Sequence, residues 1–181
     1  MENNIYNKKG VDASAIVDPT AIIGKNNYIG PGVIIGLNVS IGDNNYIGPY
    51  CIIGMPPESR DWLEGFGGRV VIGSNNKLMK QVTVDGGTEH TTSISDNCML
   101  LKNSHVGHDA MIFRNVILGC NVVIGGHCKI MPYSRVDLNS VVNPRVAVPS
   151  HVRIGSLSTV LKTSVMEYGK TYAGNPIRLI K

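Results

Sequence analysis

The sequence predicts an all-β fold, a parallel β-helix, from two columns of residues and one longer repeat. Aliphatic residues recur every six positions over residues 11–53, 72–84 and 94–160. Residues 24–36 (GKNNYIGPGVIIG) recur eighteen positions later as residues 42–54 (GDNNYIGPYCIIG). Two positions before each aliphatic residue of the last block, every residue is small or β-branched: Thr92, Cys98, Ser104, Ala110, Val116, Val122, Cys128, Ser134, Ser140, Val146, Val152 and Ser158.

A spacing of six excludes an amphipathic α-helix, because such residues would spread over every face of a helix with 3.6 residues per turn. A strand accounts for it, since residues two apart point to the same side of a pleated chain. Each unit of six then forms one strand and one corner, and three units form a triangular coil. We expect roughly seven to eight full coils, with both columns pointing inward and Asn27 stacked on Asn45 in a corner ladder.

Two interruptions of the period and one irregular end define the predicted domain organisation. Residues 55–70 contain Pro-Pro and the single Trp, so we expect an excursion that is either a surface insertion or an arm over a ligand. Residues 86–93 form a shorter excursion, in which His90 is assigned no role. Residues 162–181 leave the period and are expected to cap a single domain spanning residues 1–181.

Composition and charge exclude several classes of function. The chain has 17 Lys and Arg against 13 Asp and Glu, and a net charge of +4 is too small for a nucleic-acid-binding surface. No run of 18 apolar residues is present, and the first ten residues hold no apolar signal segment. We therefore expect no transmembrane segment and a cytoplasmic protein.

The four cysteines are expected to be reduced packing residues, because cysteines of cytosolic proteins rarely pair. None is arranged as CxxC, the spacing of a zinc knuckle. Cys51, Cys98 and Cys128 fall in the small inward column, whereas Cys120 does not.

The stretch NSHVGHDA, residues 103–110, places two histidines outside the predicted core. Ser104 and Val106 belong to the inward columns, so His105 between them must point outward. His108 falls in neither inward column. Both positions disfavour a buried structural histidine and indicate a functional site.

An apolar outward column predicts a partner surface. A monomer rarely exposes such a strip to water, and a closed ring of identical subunits is the natural solution for a flat-sided prism. His105 lies 18 and 36 residues before two members of the column, so we expect it at or beside the subunit contact. The members are Met99, Met111, Ile117, Val123 and Val141.

The hexapeptides that cover nearly the whole chain resemble those of the hexapeptide-repeat acyltransferases. That resemblance implies a left-handed β-helix assembled as a homotrimer. Within the family, NSHVGHD followed by GGHCKI (residues 125–130) is similar to the UDP-N-acetylglucosamine acyltransferases of lipid A synthesis. His105, His108 and His127 then match, in order, a substrate-contacting histidine, the catalytic histidine and a third histidine behind a glycine.

The resemblance implies that His108 is the general base, since an imidazole with a pKa near neutrality can take the proton of a sugar hydroxyl or amine. Asp109 would tune or orient His108, although adjacent residues on a strand diverge. The backbone N–H of Gly126 would stabilise the oxyanion formed on a thioester carbonyl. No bound metal and no permanent cofactor are implied, only a thioester co-substrate.

Substrate binding is implied for three further residues. His105 and His127 would hold acceptor or donor oxygens. Asp61, in the first excursion, matches the acceptor-binding aspartate of the family if one gap is allowed.

The sequence departs from the pattern of the lipid A acyltransferases at several points, and these differences indicate which acyl donor the protein uses. The family has further histidines where Asn143 and Asp85 fall, and it continues past the β-helix into a helical domain that helps to receive acyl carrier protein. The ending YAGNPIRLIK, residues 172–181, instead resembles small acetyl-CoA-dependent acetyltransferases. These features favour acetyl-CoA as donor and a sugar or nucleotide-sugar as acceptor, with an acyl-carrier-protein-dependent O-acyltransferase as the alternative.

Two rival functions remain open at this point. A γ-type carbonic anhydrase is also a trimeric left-handed β-helix and binds zinc through histidines, but its two nearest histidines are five apart, whereas the intervals here are three and 19. A non-catalytic trimeric scaffold would use the histidines only as part of a subunit contact.

Overall fold

The structure is a computed structural model that describes residues 9–58 and 68–180, and its regular structure in these ranges is entirely β-strand. The strands form three sheets, which are the three sides of a prism. Sheet 1 consists of β1 (Gly10–Val11), β4 (Tyr28–Ile29), β7 (Tyr46–Ile47), β10 (Lys77–Leu78), β13 (Met99–Leu100), β16 (Ile117–Leu118), β19 (Arg135–Val136), β22 (Arg153–Ile154), β24 (Thr171–Ala173) and β25 (Arg178–Leu179). Sheet 2 consists of β2 (Ile16–Val17), β5 (Ile34–Ile35), β8 (Ile52–Met55), β11 (Thr83–Asp85), β14 (His105–Val106), β17 (Val123–Ile124), β20 (Val141–Val142) and β23 (Thr159–Val160). Sheet 3 consists of β3 (Ile22–Ile23), β6 (Val39–Ile41), β9 (Val70–Ile72), β12 (Thr92–Ile94), β15 (Met111–Ile112), β18 (Lys129–Ile130) and β21 (Ala147–Val148).

The chain visits sheets 1, 2 and 3 in turn, so neighbouring strands within a sheet lie one coil apart in sequence. All pairings are parallel except that of β24 with β25. In the regular coils the partners are eighteen residues apart, as in His105 with Val123 and Val123 with Val141. This register confirms the predicted parallel β-helix.

Both predicted columns line the interior. The small column from Thr92 to Ser158 is buried throughout, and so is the aliphatic column from Ile29 to Val160. In the first coil Val17 and Ile23 are only half-buried, and Val11 departs from the prediction at 53% exposure. The reason is its position in β1, which pairs only with β4 among the described strands, so one side of this coil has no neighbour.

The chain turns each corner through a residue with left-handed backbone conformation. In the last block, φ near +60° recurs every six residues from Asn97 to Leu157. Nine of the seventeen non-glycine residues with positive φ are asparagine, the residue type that tolerates this conformation best after glycine. Asparagine therefore marks the corners of the coil.

The predicted asparagine ladder is present and is longer than expected. The N–H of Asn45 donates to Asn27 Oδ1 at 2.7 Å, and the N–H of Asn76 donates to Asn45 Oδ1 at 2.8 Å. Asn76 Oδ1 in turn accepts from the N–H of Cys98 at 2.7 Å. Each buried amide therefore links one coil to the next.

The five apolar outward residues do not form one strip, so that prediction was wrong. Met99 and Ile117 lie on sheet 1 and Met111 lies on sheet 3, because successive units of six face different sides of the prism. Val123 and Val141 do share sheet 2 with His105. The outward column of sheet 2 reads Ile16, Ile34, Ile52, Thr83, His105, Val123, Val141 and Thr159.

The two predicted excursions fall between strands, except that Met55, Val70, Thr92 and Ser93 belong to strands. The first leaves after β8 and returns at β9, and the second connects β11 to β12. Gly68, near the end of the first excursion, lies close enough to Gly87 of the second that a Cβ at residue 68 would overlap the Gly87 backbone. The two excursions therefore meet. No helix able to cross a membrane is found in the described ranges.

Candidate active site

Strand β14 and the corner that follows it position both histidines of the NSHVGHDA stretch. Ser104 and Val106 are fully buried, and His105 between them points outward with 27% of its side chain exposed, as predicted. His108 lies at the corner between sheets 2 and 3, where its ring is half-buried. Neither ring is part of the apolar core.

Asp109 contacts His108 because neither residue lies on a strand. Side chains of adjacent strand residues point to opposite sides, which is why strand geometry alone gave no reason to expect a contact. At this corner Asp109 has φ +59°, and its Oδ2 lies 2.8 Å from His108 Nδ1. The left-handed corner residue thus brings carboxylate and imidazole together.

The second excursion wraps around the carboxylate of Asp109. Asp109 Oδ1 accepts hydrogen bonds from the N–H groups of Thr88, Glu89 and His90 at 2.9, 3.1 and 2.7 Å. Oδ2 accepts the hydroxyl of Thr88 at 2.5 Å. The N–H of Asp109 donates to buried Thr92 Oγ1 at 2.8 Å, which fixes the backbone as well.

This environment keeps Asp109 ionised and selects the tautomer of His108. Burial acts to raise the pKa of Asp109, but hydrogen bonds from His108, Thr88 and the His90 backbone outweigh burial and lower the pKa to about 2. A carboxylate beside Nδ1 retains the imidazole proton on that nitrogen, so Nε2 carries the free lone pair. We assign the tautomer from this hydrogen bond.

The Nε2 atom of His108 lies over Gly126, which occupies the equivalent position one coil later. A Cβ at residue 126 would come within 2.6 Å of His108 Nε2, so only glycine leaves the ring in place. The N–H of Gly126 has no acceptor among residues 9–58 and 68–180. A basic nitrogen and an available N–H donor therefore lie next to each other.

His127 completes the wall of a cleft beside these groups. It stacks one coil after Asp109: its N–H donates to His108 O at 2.9 Å, and its Nε2 lies 3.5 Å from Asp109 Oδ2. The rings of His108 and His127 meet edge to face with centroids 5.1 Å apart. The cleft has a volume of about 400 Å³ and is lined by Thr88, Glu89, His108, Gly126, His127, Pro144 and Arg145.

His105 lies apart from this cleft, on the outward face of sheet 2. Its Nδ1 is 2.8 Å from Thr83 Oγ1, and its Nε2 is 3.7 Å from Asp85 Oδ2. Asp85 follows a break in the register between β8 and β11, which re-aims its side chain. Burial raises the pKa of Asp85, and the neighbouring His105 counteracts part of that rise.

The structure therefore brings together four of the six predicted site residues: His108, Asp109, Gly126 and His127. His105 is on the adjoining face, and Asp61 lies outside the described residues.

Sequence reasoning did not identify four residues that line the cleft, Thr88, Glu89, Pro144 and Arg145, or His90 beside it. Arg145 follows His127 by eighteen residues, so the coil length alone was enough to find it. Thr88 and His90 lie in the second excursion, which has no period to place them. His90, assigned no role above, has its ring edge-on to His127 with centroids 6.5 Å apart.

His108, Asp109 and His127 also present one potential metal ligand each, within 4.8 Å of one another. A metal ion bound there would have to replace donors that already occupy both oxygens of Asp109. Catalytic zinc centres of the carbonic anhydrase type have three histidine ligands. His105 does not join His108 and His127 as a third histidine within this chain, because its Nε2 faces Asp85.

The fold and the repeat define this protein as a hexapeptide-repeat β-helix, and comparison with known proteins agrees. The profile of the bacterial transferase hexapeptide (six repeats) matches residues 20–54 and 91–126.

In sequence, the chain resembles UDP-N-acetylglucosamine O-acyltransferases that are named for an acyl-carrier-protein donor. The relative from Sinorhizobium fredii is 36% identical over 110 residues, which are 59% of this chain and 40% of the relative. The relative from Campylobacter concisus is 29% identical over 159 residues, 86% of this chain and 58% of the relative. The chain spans only 36–42% of the length of the first relatives it matches.

Solved structures of the same enzymes superpose on nearly the whole chain. The UDP-N-acetylglucosamine acyltransferase of Bacteroides fragilis covers 94% of this chain and 74% of its own, with 27% identity and a TM-score of 0.83. The enzyme of Acinetobacter baumannii covers 94% and 73%, with 26% identity and a TM-score of 0.81. This superposition agrees with the left-handed β-helix that the hexapeptide resemblance implies.

Proposed function

We propose that this protein is an acyltransferase that moves an acyl group from a thioester to a hydroxyl of a nucleotide sugar, with His108 as general base. The observation that carries the proposal is the position of His108 Nε2 over Gly126, with Nδ1 held by an ionised Asp109. The names of the relatives support a thioester donor and a nucleotide-sugar acceptor. The fold shared over 94% of this chain supports the proposal that it has the same kind of activity.

The reaction follows from these groups. The acceptor hydroxyl passes its proton to His108 Nε2 while its oxygen attacks the thioester carbonyl carbon. The carbonyl oxygen becomes an oxyanion, which accepts a hydrogen bond from the N–H of Gly126. The C–S bond then breaks, the thiolate takes the proton from His108, and the acyl ester is released. A positioned base of this kind typically contributes about 10² to 10⁴-fold.

Neighbouring residues would orient the substrates. His127 borders the cleft and is close enough to donate to a sugar or thioester oxygen. Arg145, also on the cleft wall, supplies a positive charge suited to a phosphate group of a nucleotide sugar. His105 and Asp61 remain candidates for acceptor binding, His105 from the face where a neighbouring subunit of a homotrimer would meet it.

The acyl donor is proposed to be a thioester of acyl carrier protein, as in the names of the relatives. Acetyl-CoA is the second candidate, and it is favoured by the terminal YAGNPIRLIK sequence. Residues 172–179 of that segment lie in the β24–β25 hairpin, which pairs with β22 of sheet 1.

A thiol-release assay tests the proposal. The purified protein is given acetyl-CoA or acyl carrier protein thioesters of several chain lengths, each with and without UDP-N-acetylglucosamine and related nucleotide sugars. We expect thiol release that requires both donor and nucleotide sugar, with the carrier-protein thioester as the better donor. Release with acetyl-CoA alone among the donors would select the second candidate. No release with any pair would overturn the acyltransferase assignment.

A further inference from the structure

We propose that Thr88 and the amides of residues 88–90 are a positioning device that orients Asp109 and, through it, the imidazole of His108. This inference rests on the proposed role of His108 as base. The device belongs to the second excursion, which leaves the hexapeptide period between β11 and β12 and returns to it without adding a coil.

The geometry is specific for a carboxylate. Four donors from the excursion reach Asp109: three backbone N–H groups on Oδ1 and the Thr88 hydroxyl on Oδ2. An asparagine side chain has one amide NH₂ group, which would face at least one of these donors. Yet asparagine is the commonest residue at the left-handed corners, and Asp109 is the only aspartate at such a corner in the described ranges. The excursion accounts for this exception.

Gly87 allows the excursion to close on the carboxylate. A Cβ at residue 87 would overlap the carbonyl oxygen of His90 and lie 3.1 Å from Asp109 Oδ1. A side chain here would therefore push the amides of residues 88–90 away from Asp109. Residue 87 must be glycine because the backbone of His90 lies so close to it, and not because its φ angle requires glycine.

Thr88 is the residue of this device whose side chain also lies near the imidazole of His108. Its Oγ1 lies 2.5 Å from Asp109 Oδ2 and 3.4 Å from His108 Nδ1, so hydroxyl and imidazole share one carboxylate oxygen. Without the hydroxyl, Asp109 Oδ2 loses one of its donors, and the carboxylate is held less firmly beside His108 Nδ1.

The test compares Thr88→Val, which removes the hydroxyl at nearly constant volume, with Thr88→Ser, which keeps it. Thr91→Val is the matched control, because it makes the same change in the same excursion at a residue whose hydroxyl has no hydrogen bond to Asp109 in the described ranges. The readouts are kcat and KM, and the nitrogen NMR chemical shift of His108 Nδ1 at a fixed pH in the protein without substrate. We expect Thr88→Val to lower kcat about 10-fold with little change in KM and to change the Nδ1 chemical shift, because the carboxylate that contacts this nitrogen loses a donor. Thr88→Ser and Thr91→Val should resemble the parent.

Two results would overturn the proposal. An unchanged Nδ1 chemical shift in Thr88→Val would show that the hydroxyl does not act on the pair. A rise in KM with kcat and the Nδ1 chemical shift unchanged would make Thr88 a substrate contact instead. The NMR readout also separates this inference from the proposed function, since a changed Nδ1 chemical shift in a protein that turns over no thioester would retain the positioning device and reject only the acyl transfer.

Discussion

At the scale of single residues, the site depends on the absence of one side chain. Gly126→Ala places a methyl group 2.6 Å from the present position of His108 Nε2, so the imidazole must move. We expect the thioester-dependent rate to fall by about 10²-fold or more, because base and N–H donor lose their common alignment. The melting temperature should change little, since the added methyl group meets a ring at the edge of a cleft.

Gly155→Ala is the control for that variant. Its Cβ would meet the Ala173 side chain at 3.0 Å, a close contact between residues that do not line the cleft. Equal rates for Gly126→Ala and Gly155→Ala would show that the reaction does not depend on the close approach of Gly126 to His108.

The cysteines provide a second prediction at this scale. Burial raises the pKa of Cys51 and Cys98 to about 11 and also raises that of Cys128, whereas Cys120 is only half-buried. Because the thiolate is the reactive form, a thiol reagent at pH 8 should label one cysteine in the native protein and four after denaturation. Peptide mapping should identify Cys120. Rapid labelling of three or four thiols in the folded protein would contradict the interior placement of the small column.

At the scale of elements, the buried asparagine ladder ties one coil to the next. In Asn45→Ala, the N–H of Asn76 and the carbonyl of Gly73 lose their partners inside the prism. Unsatisfied buried groups of this kind cost about 1–3 kcal/mol each, so we expect the free energy of unfolding to drop by at least ~2 kcal/mol. Chemical denaturation monitored by circular dichroism measures the loss.

Lys129→Ala is the control for the ladder variant, because Lys129 points outward from β18 and is exposed. It should change the free energy of unfolding by less than about 0.5 kcal/mol. Similar values for the two variants would mean that the ladder contributes nothing beyond an ordinary surface residue.

The hexapeptide coils could be predicted from the sequence because each strand repeats the same inward pair. Ser104 and Val106 illustrate this, since their columns alone placed both residues inside and His105 outside. The contact between His108 and Asp109 followed only from the family resemblance, because it requires a left-handed corner that the two columns do not reveal. The amides around Asp109 come from an excursion without a period, so no pattern in the sequence places them.

At the scale of the whole molecule, sheet 2 is the face proposed for assembly. Val123 and Val141 are 40% and 37% exposed beside His105, in an outward column that is largely aliphatic. We expect a trimer in solution, and we expect Val123→Asp to dissociate it, because a carboxylate buried in an apolar contact is costly. Light scattering coupled to size-exclusion chromatography reports the mass.

Lys129→Asp, on sheet 3, is the control for assembly and should leave the mass unchanged. A monomer for the unmodified protein, or the same mass for Val123→Asp, would place the subunit contact elsewhere.

The central claim is that His108 performs the chemistry, and the most direct measurement compares His108→Ala with His151→Ala in the thiol-release assay. His151 stacks on Tyr133 at a different corner of the prism, so it controls for loss of an imidazole from the same kind of coil. We predict that His108→Ala lowers the rate by about 10²-fold or more at an unchanged melting temperature, while His151→Ala retains the parent rate. A folded His108→Ala variant with the parent rate would contradict the account.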